Sequence, residues 1–413
     1  MAQRKTLIIG YTWPEPTTTA AGSRIMQLIE FFQSQNHDIT FVSTAAKSEY
    51  SIGFNDCNIK TKNIVLNDSR FDDFIKKLNP DMVLFDRFLT EEQFGWRVAE
   101  FAPKALRVLD TEDLHSLRQV REKLFKSKIK FTPTKWLQSD ITKREIAAIY
   151  RCDLSLIIST YEMELLLNEV KMDKSLLLHL PFQLGKIDDV KINTWPKFKG
   201  RKDFICVGNG KHSPNVDAIV WLKNEIWPII RKSLPKVNLH IYGGYFPEHI
   251  RQMHNPKNGF YIKGWVENAV EVVGQSRISL APLRFGAGIK GKLIDAMQSG
   301  TPSITTSIGA EGIHGELPWN GWITDDAESF ANAAIDLYNN AAEWRQSQEN
   351  GVAIINAFYD KVSLNKPLSD KIQNLINGLA AHRETNFIGA LFRHQTLNSS
   401  KYMAKWIEAK NKR

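Results

Sequence analysis

The chain of 413 residues holds three cysteines, Cys57, Cys152 and Cys206, odd in number and far apart. Such scarcity excludes a disulfide framework, supplies no metal-ligand spacing, and suits reduced thiols in the cytosol. Long apolar runs are also missing. No stretch reaches the roughly 18 apolar residues of a spanning helix. The run behind the basic start of MAQRKTLIIGYTW is about four residues long, and it reads as a first strand rather than a signal peptide. With 43% apolar and 24% charged residues, disorder is not indicated. The length instead calls for two domains of roughly 150 to 200 residues each.

The net charge of +9 is unevenly spread. Residues 118–144 carry nine Lys or Arg against Glu122 and Asp140, and residues 382–413 carry seven against Glu384 and Glu408. Aromatic residues interleave both segments: Phe125, Phe131, Trp136, Phe387, Phe392 and Trp406. Such segments could meet an anionic membrane or a polyanionic acceptor, or be solvated faces with their aromatics turned inward.

Strand and helix patterns alternate along the chain. Leu7 to Gly10 reads as a strand, then a turn-rich loop through Pro14, Glu15 and Pro16 leads to Gly22 and a helix from near Ser23. Further strands are predicted at 38–43, 82–85, 106–109, 154–159 and 176–180, with a capping box of Ser159 and Glu162 opening a helix. Pro181 to Lys197 is a polar connector. The pattern then restarts: a strand at 204–207, the turn Gly208, Asn209, Gly210, Lys211, His212, a helix from about Asn215, and strands at 237–242, 278–281 and 303–306. Such alternation predicts doubly wound parallel sheets.

Residues 282–313, PLRFGAGIKGKLIDAMQSGTPSITTSIGAEGI, concentrate the chemistry. Gly286 and Gly288 let main-chain N–H groups approach a ligand closely. A helix follows from about Ile289 to Gln298, ended by Gly300 and Pro302. Its N-terminus, with Lys290 and Lys292 in the first turn, suits phosphate oxygens. Asp295, deeper on the face of Lys292, could accept hydrogen bonds from a ribose diol, or simply form an exposed pair with that lysine.

This block resembles the donor motif of family 4 glycosyltransferases, retaining enzymes with the GT-B fold of two Rossmann-like domains facing a cleft. Asp295 matches the second of that family's paired glutamates, and Ala287 stands at the first, as in a subgroup with a glycine-rich, basic variant: Gly288, Ile289, Lys290, Lys292. Ser307 to Gly312 resembles the loop that closes the site below the diphosphate. The resemblance implies an acceptor domain at 1–190, a nucleotide-sugar domain at 200–368 and a basic helical segment at 369–413 that crosses back. It implies donor contacts at Gly22, Gly208, Lys211, His212, Trp265 and Val266 besides Gly286, Gly288, Ile289, Lys290, Lys292 and Asp295, although Trp265 could instead be a buried anchor. Ser23, Arg24 and Arg118 fall on the acceptor side.

The segment Leu109 to Arg118 places Asp110, Glu112, Asp113, His115 and Arg118 just after a predicted strand, where ligands of open parallel sheets collect. Glu112, Asp113 or His115 could position a sugar or acceptor hydroxyl, or the acids could simply cap a helix. The resemblance further implies hexose transfer from a nucleoside diphosphate sugar to a hydroxyl with retention, without metal, and with Lys290 stabilising the leaving diphosphate. Envelope polysaccharide or lipopolysaccharide intermediates are the implied acceptors, glycan or lipid-linked, met in the cytoplasm or at the inner face of the membrane. A nucleic-acid acceptor such as a modified tRNA base, and a degenerate sugar-nucleotide-binding module, are the alternatives.

Overall fold

A computed structural model describes residues 3–54 and 58–411; Cys57 lies outside them. The other two cysteines are buried and free. Seven strands, β1 (Arg4–Gly10), β2 (His37–Ser43), β3 (Lys60–Asn63), β4 (Met82–Asp86), β5 (Leu106–Asp110), β6 (Leu154–Ile157) and β7 (Leu177–His179), form a parallel sheet in the order 3-2-1-4-5-6-7. Six more, β8 (Lys202–Val207), β9 (Leu239–Tyr242), β10 (Phe260–Gly264), β11 (Ser276–Ala281), β12 (Ser303–Thr305) and β13 (Gly321–Ile323), form a second parallel sheet in the order 10-9-8-11-12-13. β4 and β5 are buried along their whole length, because helices cover both faces of the sheet. This is the expected α/β architecture of two Rossmann-like domains.

Strand order reverses between β1 and β4 in the first sheet and between β8 and β11 in the second. Loops at the carboxyl ends of those strands diverge there and leave room for a ligand. The two switch points face each other, so residues 11–19 and 110–115 of one domain meet 208–212 and 282–291 of the other.

The chain crosses back beside the connector: Leu184 N–H bonds to the Tyr359 carbonyl and Lys361 N–H to that of Leu184. The helix Lys361–Asn377 then buries Leu368, Ile372 and Leu375 in the core that holds Ile8, Leu28 and Phe32. Arg383 clamps Asp153 at 2.8 and 2.7 Å. The last helix, Phe387–Asn411, lies on the helices Phe88–Phe101 and Asp140–Arg151.

Much of the basic segment 118–144 is internally paired: Arg118 with Asp113, Arg121 with Glu311, Lys126 with Glu122, Lys143 with Asp140 and Arg144 with Glu92. Trp136 is fully buried and donates to the Ser116 hydroxyl. Here the inward-aromatic reading describes the segment.

Candidate active site

In the second domain, β11 runs into Pro282–Lys290, where Gly286 and Gly288 adopt φ of 151° and 64°. A Cβ at Gly288 would lie 2.8 Å from the Asp113 Cβ, so only glycine permits this approach of the two domains. The helix begins at Gly291, two residues later than expected, with Lys290 at its N-cap and no side chain capping it. A Cβ at Gly291 would meet the Ala20 Cβ at 2.7 Å, and Ala20 opens the helix Ala20–Ser34 of the first domain. Two helix N-termini therefore converge across the cleft, each presenting the positive end of its dipole to the same space.

Lys290 is buried, and its ammonium donates to the Gly288 carbonyl at 2.7 Å. Burial pulls its pKa down to about 8, against the attraction of Glu311, Glu162 and Asp113. Lys292 reaches the Asn215 side-chain oxygen at 2.6 Å, and its Nζ lies 3.0 Å from where a Gly208 Cβ would stand. Asp295 is pushed up to about 7 by burial, partly opposed by Lys292, and its carboxylate has no hydrogen-bond partner among the described residues. The Ile289 side chain is buried in the apolar cluster that also holds Leu293 and Phe182, leaving only its backbone for a ligand.

On the first-domain wall, Glu112 sits at φ 62° with its side chain buried and Oε1 without a hydrogen-bond partner. Burial, then Asp110 and Asp86, push its carboxyl well above the usual range, against the pull of Arg24 and Arg87. Asp113 pairs with Arg118 at 2.7 Å and lies 3.2 Å from His115 Nε2, and the Arg118 guanidinium holds its carboxyl low despite burial. Burial depresses His115 to about 3, so its ring is neutral. His212 lies close enough to feel the charges of Arg118 and Asp113.

Several expectations change here. Arg24, expected on the acceptor side, is turned into the first domain: it is 1% exposed, its guanidinium bonds Asp110 at 2.7 to 3.0 Å and the Leu180 carbonyl at 2.7 Å, and it fixes the strand end that carries Glu112. The Ser23 hydroxyl bonds the Pro16 carbonyl at 3.1 Å, so it shapes the first loop, and Gly22 is required because a Cβ there would strike the Glu15 backbone at 2.4 Å. The capping box at Ser159 is not formed. Glu162 instead accepts from Leu114 N–H and, across the cleft, from Gly288 N–H, both at 2.9 Å and on the same oxygen. Nor do the acids after β5 cap the helix His115–Lys126. Its first N–H groups are taken by Glu162 and by Glu145, which accepts from His115 and Ser116 at 2.9 Å.

Burial raises Glu162 to about 8. A carboxyl raised in the folded state contributes stability that is full below its unfolded value near 4.5 and is lost as pH rises through about 8. Glu162→Gln, which keeps the accepting oxygen, should flatten the fall in melting temperature between those limits. Thermal melts of both proteins across that range test this; an unchanged slope would acquit Glu162.

Other residues that sequence reasoning passed over join the domains. Arg121 forks onto Glu311 at 2.7 Å on both arms and bonds the Gly286 carbonyl at 2.9 Å. The Tyr245 hydroxyl donates to Glu15 at 3.1 Å, and Asn209 to the Thr18 carbonyl at 3.2 Å. The Lys211 ammonium sits 3.4 Å over the Tyr245 ring. Beyond it lies a cavity of about 480 Å³, lined by Tyr50, Gly243, Tyr245, Arg251, Gly264 and Trp265. Trp265 is 41% exposed, so it is not a buried anchor; its ring is 5.1 Å from that of Tyr50, and Val266 beside it is half-buried. A partial signal for Tyr50 existed only in its being an aromatic in a polar loop.

Comparison with known proteins bears on this cleft. Residues 201–340 match the model of Glycosyl transferases group 1. That match covers the second sheet, the Trp265 side of the cavity and the loop with Lys290 and Lys292. A 44.6 kDa protein in the cps region of Klebsiella pneumoniae is 22% identical over 407 residues, covering 86% of this chain and 96% of that one. Among solved structures, a sucrose-phosphate synthase from Thermosynechococcus elongatus superposes with a TM-score of 0.66 at 14% identity, over 91% of this chain and 100% of its own. Anabaena HepE in complex with UDP and glucose gives 0.63 at 12% identity, over 90% and 100%. These likenesses fix the fold as GT-B.

Proposed function

We propose that the protein transfers a hexose from a nucleoside diphosphate sugar to a hydroxyl of a glycan or lipid-linked acceptor, with retention, in the synthesis of envelope polysaccharide or lipopolysaccharide. The observation that carries this reading is the meeting of two helix N-termini at Lys290 and Lys292 beside the carboxylate of Asp295. A diphosphate there would receive helix N–H groups and two ammonium charges, and Asp295 would accept from the ribose. The base would enter the cavity at Trp265, where Tyr50 closes the other side. The relative in a cps region supports a polysaccharide setting, and HepE, crystallised with UDP and glucose, supports the donor class.

Bond cleavage leaves negative charge on the diphosphate, so Lys290, Lys292 and the helix N–H groups stabilise the leaving group, the largest contribution to rate. Their charges do this work in our reading, with no metal ion. Glu112, its carboxyl pushed well above the usual range by burial and by Asp110 and Asp86, would in its protonated form donate a hydrogen bond to a donor-sugar hydroxyl. Asp113, held ionised by Arg118, would accept from another or from the acceptor, with neutral His115 beside it. Sugar recognition thus comes from the first-domain wall, which compensates for Ala287.

A panel of UDP-, GDP-, ADP- and CMP-sugars tested by thermal shift should find one donor that raises the melting temperature, since a ligand of the folded state stabilises it. That donor should be hydrolysed slowly without acceptor. Trp265→Ala should weaken its binding by about 1–3 kcal/mol, roughly 5- to 150-fold, with less effect on kcat. No shift with any of them, and no hydrolysis, would overturn the reading.

A further inference from the structure

The last helix, Phe387–Asn411, is 25 residues long, about 37 Å, and its two faces differ in kind. Its inner face is committed to the first domain. Ala404 packs on Trp96, Phe392 on Tyr150, Lys401 pairs with Glu100 at 2.6 Å, and Arg393 donates to the Arg151 carbonyl at 3.3 Å. Glu408, the only acid of the helix, also lies inward, accepting from Ser69 N–H.

The outer face carries Phe387, Leu391, Tyr402 and Trp406, with Ile388 and Met403 at its flanks. Positions 387, 391, 395, 398, 402 and 406 follow one another by three or four residues and so share a stripe. Phe387 is 71% exposed, Tyr402 67% and Trp406 61%, and this helix holds the densest group of exposed large apolar side chains among the described residues. Lys405 and Lys410 stand beside the stripe, Lys410 over the Trp406 ring at 5.5 Å, and no acid shares this face.

From this pairing of a bare aromatic stripe with unopposed lysines, we infer that the outer face of Phe387–Asn411 docks the protein on an anionic lipid bilayer, lying in the interface plane. Tryptophan and tyrosine suit that depth, having an apolar body and a polar edge. Lysines at the rim attract acidic headgroups, and the polar Gln395 and Asn398 in the middle keep the helix at the surface. No described helix is long and apolar enough to cross a membrane. A second copy of this chain fits the face less well. A two-fold contact would press Lys405 and Lys410 against an acid-free patch, with like charges opposed. Docking here is independent of which sugar the cleft takes, so its failure would leave the proposed transfer standing.

Co-sedimentation of the full chain with phosphatidylglycerol-containing vesicles should show binding that phosphatidylcholine vesicles alone do not give. The triple variant F387S/Y402S/W406S should weaken it by roughly tenfold or more, and K405E/K410E should weaken it and remove its salt sensitivity. Donor-induced thermal shift reports the intact cleft in both. Absence of binding to the anionic vesicles, or binding unchanged in the triple variant, would overturn the inference. So would a concentration-dependent dimer in sedimentation velocity that the triple variant abolishes, since the stripe would then belong to a second copy.

Discussion

Lys290→Ala is expected to lower kcat/KM by on the order of 10²- to 10³-fold, the usual cost of deleting one preorganised donor to a developing anion, about 2.7–4 kcal/mol. The effect is large because Lys290 acts from a buried position at the mouth of an uncapped helix, where its charge is little screened. Folding should not suffer. A lysine whose folded pKa is about 8 instead of 10.5 contributes stability only above its unfolded value and loses it as pH falls through about 8. At neutral pH its charge is therefore a cost to the fold, and the alanine variant should melt no lower than the parent. Steady-state kinetics with the donor found by thermal shift, alongside melts of both proteins, separates the two effects. Near-normal kcat/KM would remove Lys290 from the mechanism. In the parent, activity should also decline as pH rises past about 8, where the free ammonium is lost.

Arg24→Ala should cost about 3–5 kcal/mol of stability, because it strands the Asp110 carboxylate in the core. Both side chains are essentially inaccessible to solvent, at 1% and 0% exposure, and the guanidinium holds both carboxylate oxygens as well as the Leu180 carbonyl. Arg24→Lys should recover little, since an ammonium cannot reproduce the planar fork. Adding Asp110→Asn to Arg24→Ala removes the stranded charge, and that double variant should be more stable than Arg24→Ala alone. Urea denaturation followed by circular dichroism provides the measurement. A loss below about 1 kcal/mol for Arg24→Ala would mean that this pair does not hold the strand end beneath Glu112.

Fold class was legible because interior parallel strands are apolar runs and their helices carry a separate period. Runs such as Met82–Asp86 and Leu106–Asp110 announce themselves, being buried throughout. Three strands gave no such signal, and all three are edges: β3 in the first sheet, β10 and β13 in the second. An edge strand needs only one neighbour and little cover, so Lys60–Asn63, exposed along its length, has no apolar residue to betray it.

The glycine and lysine pattern at 286–292 was equally legible, because a helix N-terminus and its flanking cations are local features. Glu162 shows the limit of that kind of reading. Its spacing from Ser159 fits a capping box, yet its carboxyl goes to Gly288, 126 positions further along the chain. Local spacing names the partners a side chain can reach within its own turn, and a buried carboxyl takes the strongest donors that packing brings to it. Arg24 followed the same logic: its place at the start of the helix after the first loop pointed to the cleft, but its guanidinium turns inward to Asp110.

The sequence by itself determined two doubly wound sheets, the connector between them, and the glycine-rich basic turn that faces a diphosphate in our reading. All of these are written in runs and spacings within about thirty residues. Only the tertiary structure decided which carboxyls bind N–H groups and which, like that of Glu112, are left unpartnered. It alone brought Tyr50 to Trp265 and joined Arg121 to Glu311. It also left the stripe from Phe387 to Trp406 bare while covering the opposite side of the same helix. The physical reason is common to all of these. Burial and long-range pairing fix a side chain's charge, partner and exposure, and neither exists until the two domains and the returning helices have packed.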